Sequence, residues 1–325
     1  MDKAKLISLI IPFYNEGAAI NILYERLSAA LAAIPDCLFE IICVDDGSRD
    51  NTLAVLNNIA EKDPRLLIIE FSRNFGKEAA MSAGLDYAGG QAVIILDADL
   101  QDPPELIAPM LELWQGGAEV VNARRTNRQA ESFLKRRSAG LFYWVHNKVS
   151  YPPIPANVGD FRLLDRKAVN ALKQMPERQR FMKGLFSWVG FKSAEIAYRR
   201  ETRSAGKSKF SGFKLWNFAL EGITSFSTLP LRVWTYIGVA VALPALGWGA
   251  FTLVKTLVFG IDVPGYASTI IAVLFLGGLQ LISVGVLGEY IGRIYAESKN
   301  RPLYIIRRIH GRQTRQPDRT NGCSP

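Results

Sequence analysis

The stretch Ala92-Val-Ile-Ile-Leu-Asp97-Ala-Asp99-Leu-Gln101-Asp102 decides the fold class of this chain. An apolar, β-branched run that stops at acidic residues is typical of a buried parallel strand whose carboxyl end faces a ligand. Two carboxylates one residue apart, followed by an amide, offer the oxygen ligands that Mg²⁺ or Mn²⁺ prefers. The pair of aspartates alone would also fit a solvated turn or a helix cap. Its position directly after a strand favours a metal site at Asp97, Asp99 and Gln101.

Strand and helix patterns alternate on both sides of this stretch. The strand patterns lie at 6–11, 39–44, 66–72, 92–96 and 118–123, and the helical patterns lie at 17–33, 51–61, 77–88 and 104–115. This rhythm predicts an α/β protein with a doubly wound, mainly parallel sheet and ligands at the carboxyl ends of its strands. Residues 126–210 are more basic and less regular, with one more strand predicted at 190–199.

The composition narrows the classes of partner and of site. Lys plus Arg outnumber Asp plus Glu by 39 to 30, and the net charge of +9 favours anionic partners such as phosphorylated substrates, acidic lipid or nucleic acid. Three cysteines and two histidines exclude a disulfide scaffold and argue against a Cys/His zinc site. No G-x-G-x-x-G follows a strand, and Gly206-Lys-Ser208 lacks the first glycine of a P-loop because residue 201 is Glu. A Rossmann dehydrogenase and a P-loop NTPase are therefore excluded.

Two further polar turns end strands of the same predicted sheet. Pro12-Phe-Tyr-Asn-Glu16 ends the first strand, and Val44-Asp-Asp-Gly-Ser48 ends the second. Each alone is ordinary turn chemistry. Because the carboxyl ends of parallel strands meet at one edge, the three turns together predict a polar pocket. That pocket would hold the base and ribose of a nucleotide whose phosphates reach the metal.

The last third of the chain has a different character. The runs 233–254 and 263–288 carry no charge, and the shorter one reaches about 33 Å as a helix, against a hydrocarbon core of about 30 Å. We predict two transmembrane helices; a pair of buried core helices is the alternative, which their length disfavours. The loop 260–265 has no Lys or Arg, whereas Arg232 precedes the first run and many basic residues follow the second, so both termini and the α/β domain are predicted to be cytosolic.

These patterns predict the domain organisation. The aromatic-rich residues 210–231 predict amphipathic helices in the headgroup region, with an ordinary core helix as the alternative. The predicted units are a catalytic domain over 1–209, this juxtamembrane segment over 210–231, two membrane helices within 232–292 (about 233–257 and 264–290), and a basic cytosolic tail over 293–325.

The motifs, taken in order, resemble those of membrane-bound family 2 glycosyltransferases of the GT-A fold. Within that family the chain is similar to polyprenyl-phosphate glycosyltransferases of the dolichol-phosphate mannose synthase-like group. It looks closest to bacterial undecaprenyl-phosphate (bactoprenol) glucosyltransferases. The resemblance covers nearly the whole chain and rests on the three turns above together with Ser72-Arg-Asn-Phe-Gly-Lys-Glu78, Gly159-Asp-Phe-Arg-Leu163, Arg180-Phe-Met-Lys-Gly184 and Ser225-Phe-Ser-Thr228.

The resemblance implies an inverting transfer of one sugar, with glucose expected, from a UDP-sugar to a polyprenyl phosphate. It implies a bacterial plasma-membrane enzyme, a homo-oligomer such as a tetramer, and no nucleic-acid partner. The divalent cation would lie at Asp97, Asp99 and Gln101. The nucleotide-binding residues it implies are Pro12, Tyr14, Asn15, Glu16, Asp45, Asp46, Lys77 and Asp97.

Cationic residues are expected to hold the two phosphate groups. The resemblance gives one set, Arg124, Arg128, Arg137 and Ser138, to the acceptor phosphate, and a second set, Arg200, Arg203, Lys207 and Lys209, to the donor. A solvated basic face is the alternative for any one of them.

The chain departs from the family at residue 157, which is often Asp there and is Asn here. Asn157 cannot accept a proton at neutral pH. Either Asp160 takes that role, or no base is used, or activity is weakened. The acceptor phosphate is already largely anionic, since its second pKa is about 6. We therefore expect positioning to suffice, with Asp99, Asp160 and Asn157 as the catalytic residues and Asn157 binding sugar hydroxyls.

Two other functions compete with this interpretation. A processive polysaccharide synthase would carry a Q-x-x-R-W motif and usually more spans, and neither is present in the sequence. A non-catalytic, membrane-anchored module that binds nucleotide-sugar stays open, with Asn157 as the mark of lost activity.

Overall fold

Eight strands of the described part of the chain form one sheet. The structure is a computed structural model that describes residues 4–126, 158–175, 177–178, 180–199, 229–259 and 265–311. The strand order across the sheet is β7-β5-β6-β4-β1-β2-β3-β8. The strands are β1 Lys5–Phe13, β2 Cys37–Asp45, β3 Leu66–Phe71, β4 Ala92–Ile95, β5 Val120–Arg125, β6 Val158–Asp165, β7 Ser193–Tyr198 and β8 Ile306–Gly311.

The predicted βαβα rhythm produces the first half of this sheet. Strands β3, β2, β1 and β4 are parallel neighbours, with β1 and β2 in register from Lys5↔Cys37 to Phe13↔Asp45. The connecting helices are α1 Ile20–Ala32, α2 Thr52–Ala60, α3 Lys77–Tyr87 and α4 Ile107–Gln115, the last preceded by a 3-10 turn at Pro104–Leu106. The α/β class is confirmed, but the sheet is mixed, because β6 runs antiparallel to both β4 and β5.

Strand β4 shows why the deciding stretch is continuously apolar. Ile94 packs into the core on the α1, α2 and α4 side, whereas Val93 and Ile95 pack on the α3 side. The second core also contains α5 Arg166–Lys173 and α6 Met182–Trp188. A side chain of this size contributes about 1.5–3 kcal/mol when fully buried, so both faces of β4 need apolar residues. The strand is thereby fixed, and the acidic residues after it emerge at the sheet edge.

Two long helices follow the α/β part of the chain. They are α7 Leu229–Phe259, which contains the first predicted run and has Pro244 inside it, and α8 Tyr266–Ser298. Among the described residues, one segment, Phe275–Ser298, is long and apolar enough to cross a membrane by length and composition. Two spans therefore remain a prediction. Most of the predicted juxtamembrane segment 210–231 lies outside the described residues.

The chain after α8 returns to the sheet. Residues predicted as a basic tail over 293–325 include the end of α8 and the edge strand β8, which pairs antiparallel with β3. The Tyr304 ring stacks on Phe71 with centroids 5.1 Å apart, and Arg307 lies 3.1 Å from Glu70. The sequence pattern does not predict this strand, because the adjacent Arg307 and Arg308 interrupt the apolar alternation.

Candidate active site

The carboxyl edge of the sheet carries the acidic turn that follows β4. Asp97 and Asp99 are half-buried just beyond the strand, and the backbone N–H of Gln101 donates to Asp99 Oδ1 over 3.2 Å. Leu100 has a φ of 60°, a left-handed conformation that costs a residue other than glycine about 1–3 kcal/mol. The turn is therefore held in a strained shape at the edge where such sheets bind ligands.

Lys77 joins this turn to β6. Its Nζ lies 2.6 Å from Asp97 Oδ1 and 2.5 Å from Asp160 Oδ2. Burial alone would lower the pKa of Lys77, but the two carboxylates, Asp160 more strongly, raise it well above its usual range. Lys77 begins α3, and Gly76 before it has a φ of 98°, which lets the chain turn into the helix. The structure thus brings three predicted site residues to one point.

Asp160 is an anion in this environment. Burial would raise the pKa of Asp160, but the positive charges of Lys77, Lys183 and Arg162 hold it well below its usual range. A carboxylate with a strongly lowered pKa has little tendency to take up a proton near neutral pH. Its chemistry here is that of a fixed negative charge and hydrogen-bond acceptor.

Two further charged residues, Arg162 and Glu78, lie close enough to Asp160 to interact with it. Arg162 is buried, and burial lowers its pKa to about 10 although Asp160 and Glu78 oppose the shift. Its guanidinium carbon lies 3.9 Å from the ring centre of Phe186. The Met182 amide donates to Glu78 over 3.1 Å, and burial, followed by the charge of Asp160, raises the pKa of Glu78 to about 7. These contacts tie α3, β6 and α6 together.

Asp46 holds the loop that leads into Lys77. Its carboxylate accepts hydrogen bonds from Asn74 Nδ2 over 2.7 Å, from the Phe75 amide over 2.6 Å and from the Gly76 amide over 3.0 Å. Gly47 has a φ of 67°, and a Cβ there would lie 2.5 Å from a backbone carbon of the same loop. The side chain of Asp46 therefore faces protein donors, and the tight approach requires the glycine.

The turn after β1 is braced against the turn after β2. The backbone N–H of Asn15 donates to Ser48 Oγ over 3.0 Å, and the side-chain Oδ1 of Asn15 accepts from the backbone N–H of Arg49 over 2.8 Å. Asp45 is buried and accepts from the Ser48 amide over 3.3 Å, while burial raises the pKa of Asp45. Tyr14 is 38% exposed at this rim, so its ring is accessible for stacking.

A buried network lies at the far end of the acidic turn. Asp102 is fully buried, and its Oδ1 accepts a hydrogen bond from the Tyr198 hydroxyl. Arg125 Nε donates to the same hydroxyl over 3.0 Å, and Arg125 Nη2 lies 3.6 Å from Asp102 Oδ1. The neighbouring Arg124 forms an exposed ion pair with Glu195 at 3.2 Å.

Comparison with known proteins identifies the family. Residues 8–173 match the Glycosyl transferase family 2 domain, and residues 229–294 match the GtrB C-terminal hairpin. The chain belongs to glycosyl transferase family 2. This family 2 glycosyltransferase is 53% identical over 304 residues to the SfII prophage-derived bactoprenol glucosyl transferase of Shigella flexneri, covering 94% of this chain and 98% of that one. The resemblance to bactoprenol glucosyl transferases is therefore confirmed.

The chain is also similar to a second glycosyltransferase and to a protein of known structure. An uncharacterised glycosyltransferase of Synechocystis is 52% identical over 305 residues, covering 94% of this chain and 96% of that one. The crystal structure of mannosyl-3-phosphoglycerate synthase from Rubrobacter xylanophilus is 17% identical, with a TM-score of 0.46, covering 68% of this chain and 72% of that one. The described part of this family 2 glycosyltransferase has a mixed α/β sheet.

Many of the predicted site residues of this glycosyltransferase lie at the carboxyl edge. The turns that contain Tyr14, Asn15, Glu16, Asp45 and Asp46 adjoin one another there, and Pro12 pairs with Val44 within β1 and β2. Arg124 is the one residue of the two phosphate-binding sets that the structure describes. Asn157 and the rest of those sets, Arg128, Arg137, Ser138, Arg200, Arg203, Lys207 and Lys209, lie outside the described residues.

Sequence reasoning missed the partners of these residues. Arg125, Tyr198 and Glu78 were not singled out, although Arg125 adjoins Arg124, Glu78 adjoins Lys77, and Tyr198 contacts Asp102 in the acidic turn. Tyr198 lies near the end of the strand predicted at 190–199, and Arg125 adjoins Arg124. Neither position predicts a contact with Asp102, which is distant in sequence. The only available signal was the acidic residue at 102 in a turn that already held two aspartates.

Proposed function

We propose that this protein transfers one glucosyl residue from UDP-glucose to undecaprenyl phosphate, with inversion, at the cytosolic face of the bacterial plasma membrane. The observation that carries the proposal is the convergence of Asp97 and Asp160 on Lys77 at the carboxyl edge of the sheet. That contact joins the turn that we propose faces the nucleotide to β6, whose Asp160 we propose faces the sugar. The substrates are proposed from the relatives named as bactoprenol glucosyl transferases.

A divalent cation, Mg²⁺ or Mn²⁺, fits the donors available at the turn. Among the described residues no group of three or more His, Cys, Asp or Glu is placed to hold a metal, so a site here would rest on Asp97, Asp99 and the amide oxygen of Gln101. Carboxylate and amide oxygens suit a hard cation that leaves positions for phosphate oxygens. When bound, the cation would stabilise the negative charge of the departing UDP.

The protein's own residues orient the two substrates. An acceptor phosphate oxygen attacks the anomeric carbon of glucose, the new carbon–oxygen bond forms, and the bond to UDP breaks on the opposite face. Because that oxygen is already anionic, no proton needs to be removed. The lowered pKa of Asp160 agrees with this, since a poor base is best used as a fixed acceptor for sugar hydroxyls. Tyr14 is proposed to stack on the uracil, and the braced turns after β1 and β2 to hold the ribose.

We also propose that α7 and α8 both cross the membrane, with the α/β domain and both termini in the cytosol. The predicted bounds 1–209, 210–231, 232–292 and 293–325 are retained, except that β8 within the last range belongs to the sheet. Arg124 and the two basic segments are proposed to hold the phosphate groups, and the protein is proposed to form a homo-oligomer.

Transfer of radiolabelled glucose from UDP-glucose to undecaprenyl phosphate tests the function directly. We expect product with Mg²⁺ or Mn²⁺, loss of product on chelation, and loss in Asp99→Ala. Asp36→Ala is the matched control, because Asp36 is an exposed carboxylate before β2, at the opposite edge of the sheet. Unchanged transfer after chelation would remove the metal from the proposal. Binding of UDP-glucose without transfer to any prenyl phosphate would favour the non-catalytic module instead.

A further inference from the structure

The Asp102 network connects the segments around the active site. Asp102 ends the acidic turn, Arg125 ends β5, and Tyr198 ends β7. The Tyr198 hydroxyl donates to Asp102 and accepts from Arg125, so it sits between the two charges. The Thr126 amide also donates to the Tyr198 carbonyl over 2.9 Å, which fixes the ends of β5 and β7 side by side.

The network also reaches the strand that carries Asp160. A Cβ on Gly159 would lie 2.7 Å from Arg125 Nη2, so the guanidinium of Arg125 lies directly against the backbone next to Asp160. One buried cluster therefore touches the acidic turn, β6, and the ends of both strands that lead into the predicted basic segments.

We propose that Asp102, Tyr198 and Arg125 form a positioning triad for the transfer reaction. The triad sets the placement of the Asp97–Asp102 turn relative to Asp160. It also fixes the ends of β5 and β7, which precede the two predicted basic segments. None of the three is a catalytic residue, because each acts through its neighbours. The expected effect on kcat rests on the proposed function, whereas the expected effect on the placement of the turn does not.

Burial makes this triad suited to positioning. Asp102 Oδ2 has no hydrogen-bond partner within the described part of the chain, so the Tyr198 hydroxyl and the guanidinium of Arg125 are the groups that compensate the carboxylate there. A fully buried carboxylate cannot exchange these partners for water without opening the core. Removing the hydroxyl leaves Asp102 and Arg125 poorly satisfied, and the acidic turn can then shift.

The chain contains a matched control with the same chemistry at the other edge of the sheet. Tyr24 donates to Asp63 over 2.9 Å, and Arg65 Nη2 lies 2.7 Å from the same carboxylate oxygen, just before β3. Asp63 is buried as well. Tyr24→Phe therefore removes a phenolic hydroxyl that contacts a comparable pair of carboxylate and guanidinium, away from the acidic turn.

The experiment compares Tyr198→Phe with Tyr24→Phe in the full chain. We expect a smaller fall in the unfolding midpoint for Tyr24→Phe, because Arg65 still donates to Asp63. A fall of about ten- to hundredfold in kcat is expected only for Tyr198→Phe, since small misplacements of reacting groups have effects of this size. UDP affinity, measured by calorimetry, should change less than threefold. Combining Tyr198→Phe with Asp102→Asn should add little further loss, because both break one chain of hydrogen bonds.

Backbone hydrogen exchange tests the triad without any turnover. Tyr198→Phe should speed exchange at 97–102 and 158–160, whereas Tyr24→Phe should not. Wild-type kcat in Tyr198→Phe, an equal loss in Tyr24→Phe, or unchanged exchange in those segments would overturn the triad. Should Tyr198→Phe fail to fold, Asp102→Asn takes the same tests. If the wild-type protein transfers no glucose, the proposed function fails, and the exchange comparison still decides the triad.

Discussion

Glu78 is expected to make the protein less stable as the pH rises towards neutrality. Burial, followed by the charge of Asp160, raises the pKa of Glu78 from 4.5 to about 7 in the folded protein. The folded state therefore holds a proton at Glu78 that the unfolded state has already released. Stability is greatest below the unfolded pKa and is lost as pH rises through the folded pKa. The full shift corresponds to about 3 kcal/mol.

Glu78→Gln isolates this contribution. Glutamine keeps an acceptor for the Met182 amide, which lies 3.1 Å from Glu78 Oε2, but it cannot ionise. Relative to the wild-type protein, the free energy of unfolding of Glu78→Gln should rise by about 2 to 3 kcal/mol between pH 5 and pH 8. Denaturant unfolding followed by tryptophan fluorescence measures this difference in the full chain.

Glu25→Gln is the control, because Glu25 is exposed on α1. It should leave the stability difference from wild type nearly independent of pH. If Glu78→Gln behaves in the same way as Glu25→Gln, Glu78 is ionised in the folded protein at neutral pH. The argument that burial and Asp160 keep its proton in place would then be wrong.

Three further changes test other contacts. Lys77→Met should lower the free energy of unfolding by about 1–3 kcal/mol, because it leaves the half-buried Asp160 carboxylate without its nearest cation while solvent screens part of the pair; denaturant titration showing no decrease would contradict this. Gly47→Ala should reduce the yield of folded protein in gel filtration, because its φ of 67° and a contact of 2.5 Å exclude a Cβ, and normal yield would refute the steric reasoning. Tyr304→Phe, which loses a hydrogen bond of 2.7 Å to Asp86, should cost about 1 kcal/mol, and an unchanged unfolding midpoint would show that this contact is not stabilising.

The parallel half of the fold could be predicted because its strands are buried on both faces. Continuous apolar runs such as 92–96 have no competing interpretation once helices alternate with them. Strand β6 was not predicted, since Asp160 and Arg162 interrupt its apolar pattern. Those two charges are tolerated because each has an oppositely charged neighbour. A single sequence does not show which distant residue will provide that neighbour.

The candidate site, like the fold, could be predicted only in part from the sequence. The acidic turns were predictable, because each directly follows a strand and parallel strands end at one edge. The bridge from Asp97 to Asp160 was not, since it depends on Lys77 reaching across from another element. Lys77 was expected to bind nucleotide, and the structure shows its charge shared between two carboxylates.

This sharing bears on how a diphosphate can be held at the edge. Lys77 faces two carboxylates, Arg125 faces Asp102, and Arg124 pairs with Glu195. These cations near the acidic turn already have carboxylate partners, which they must exchange before they can attract a phosphate group. The turn itself is acidic and would repel a diphosphate. Binding of the proposed UDP-sugar donor at this edge therefore needs additional positive charge, which is the physical reason to propose that both a divalent cation and the basic segments take part.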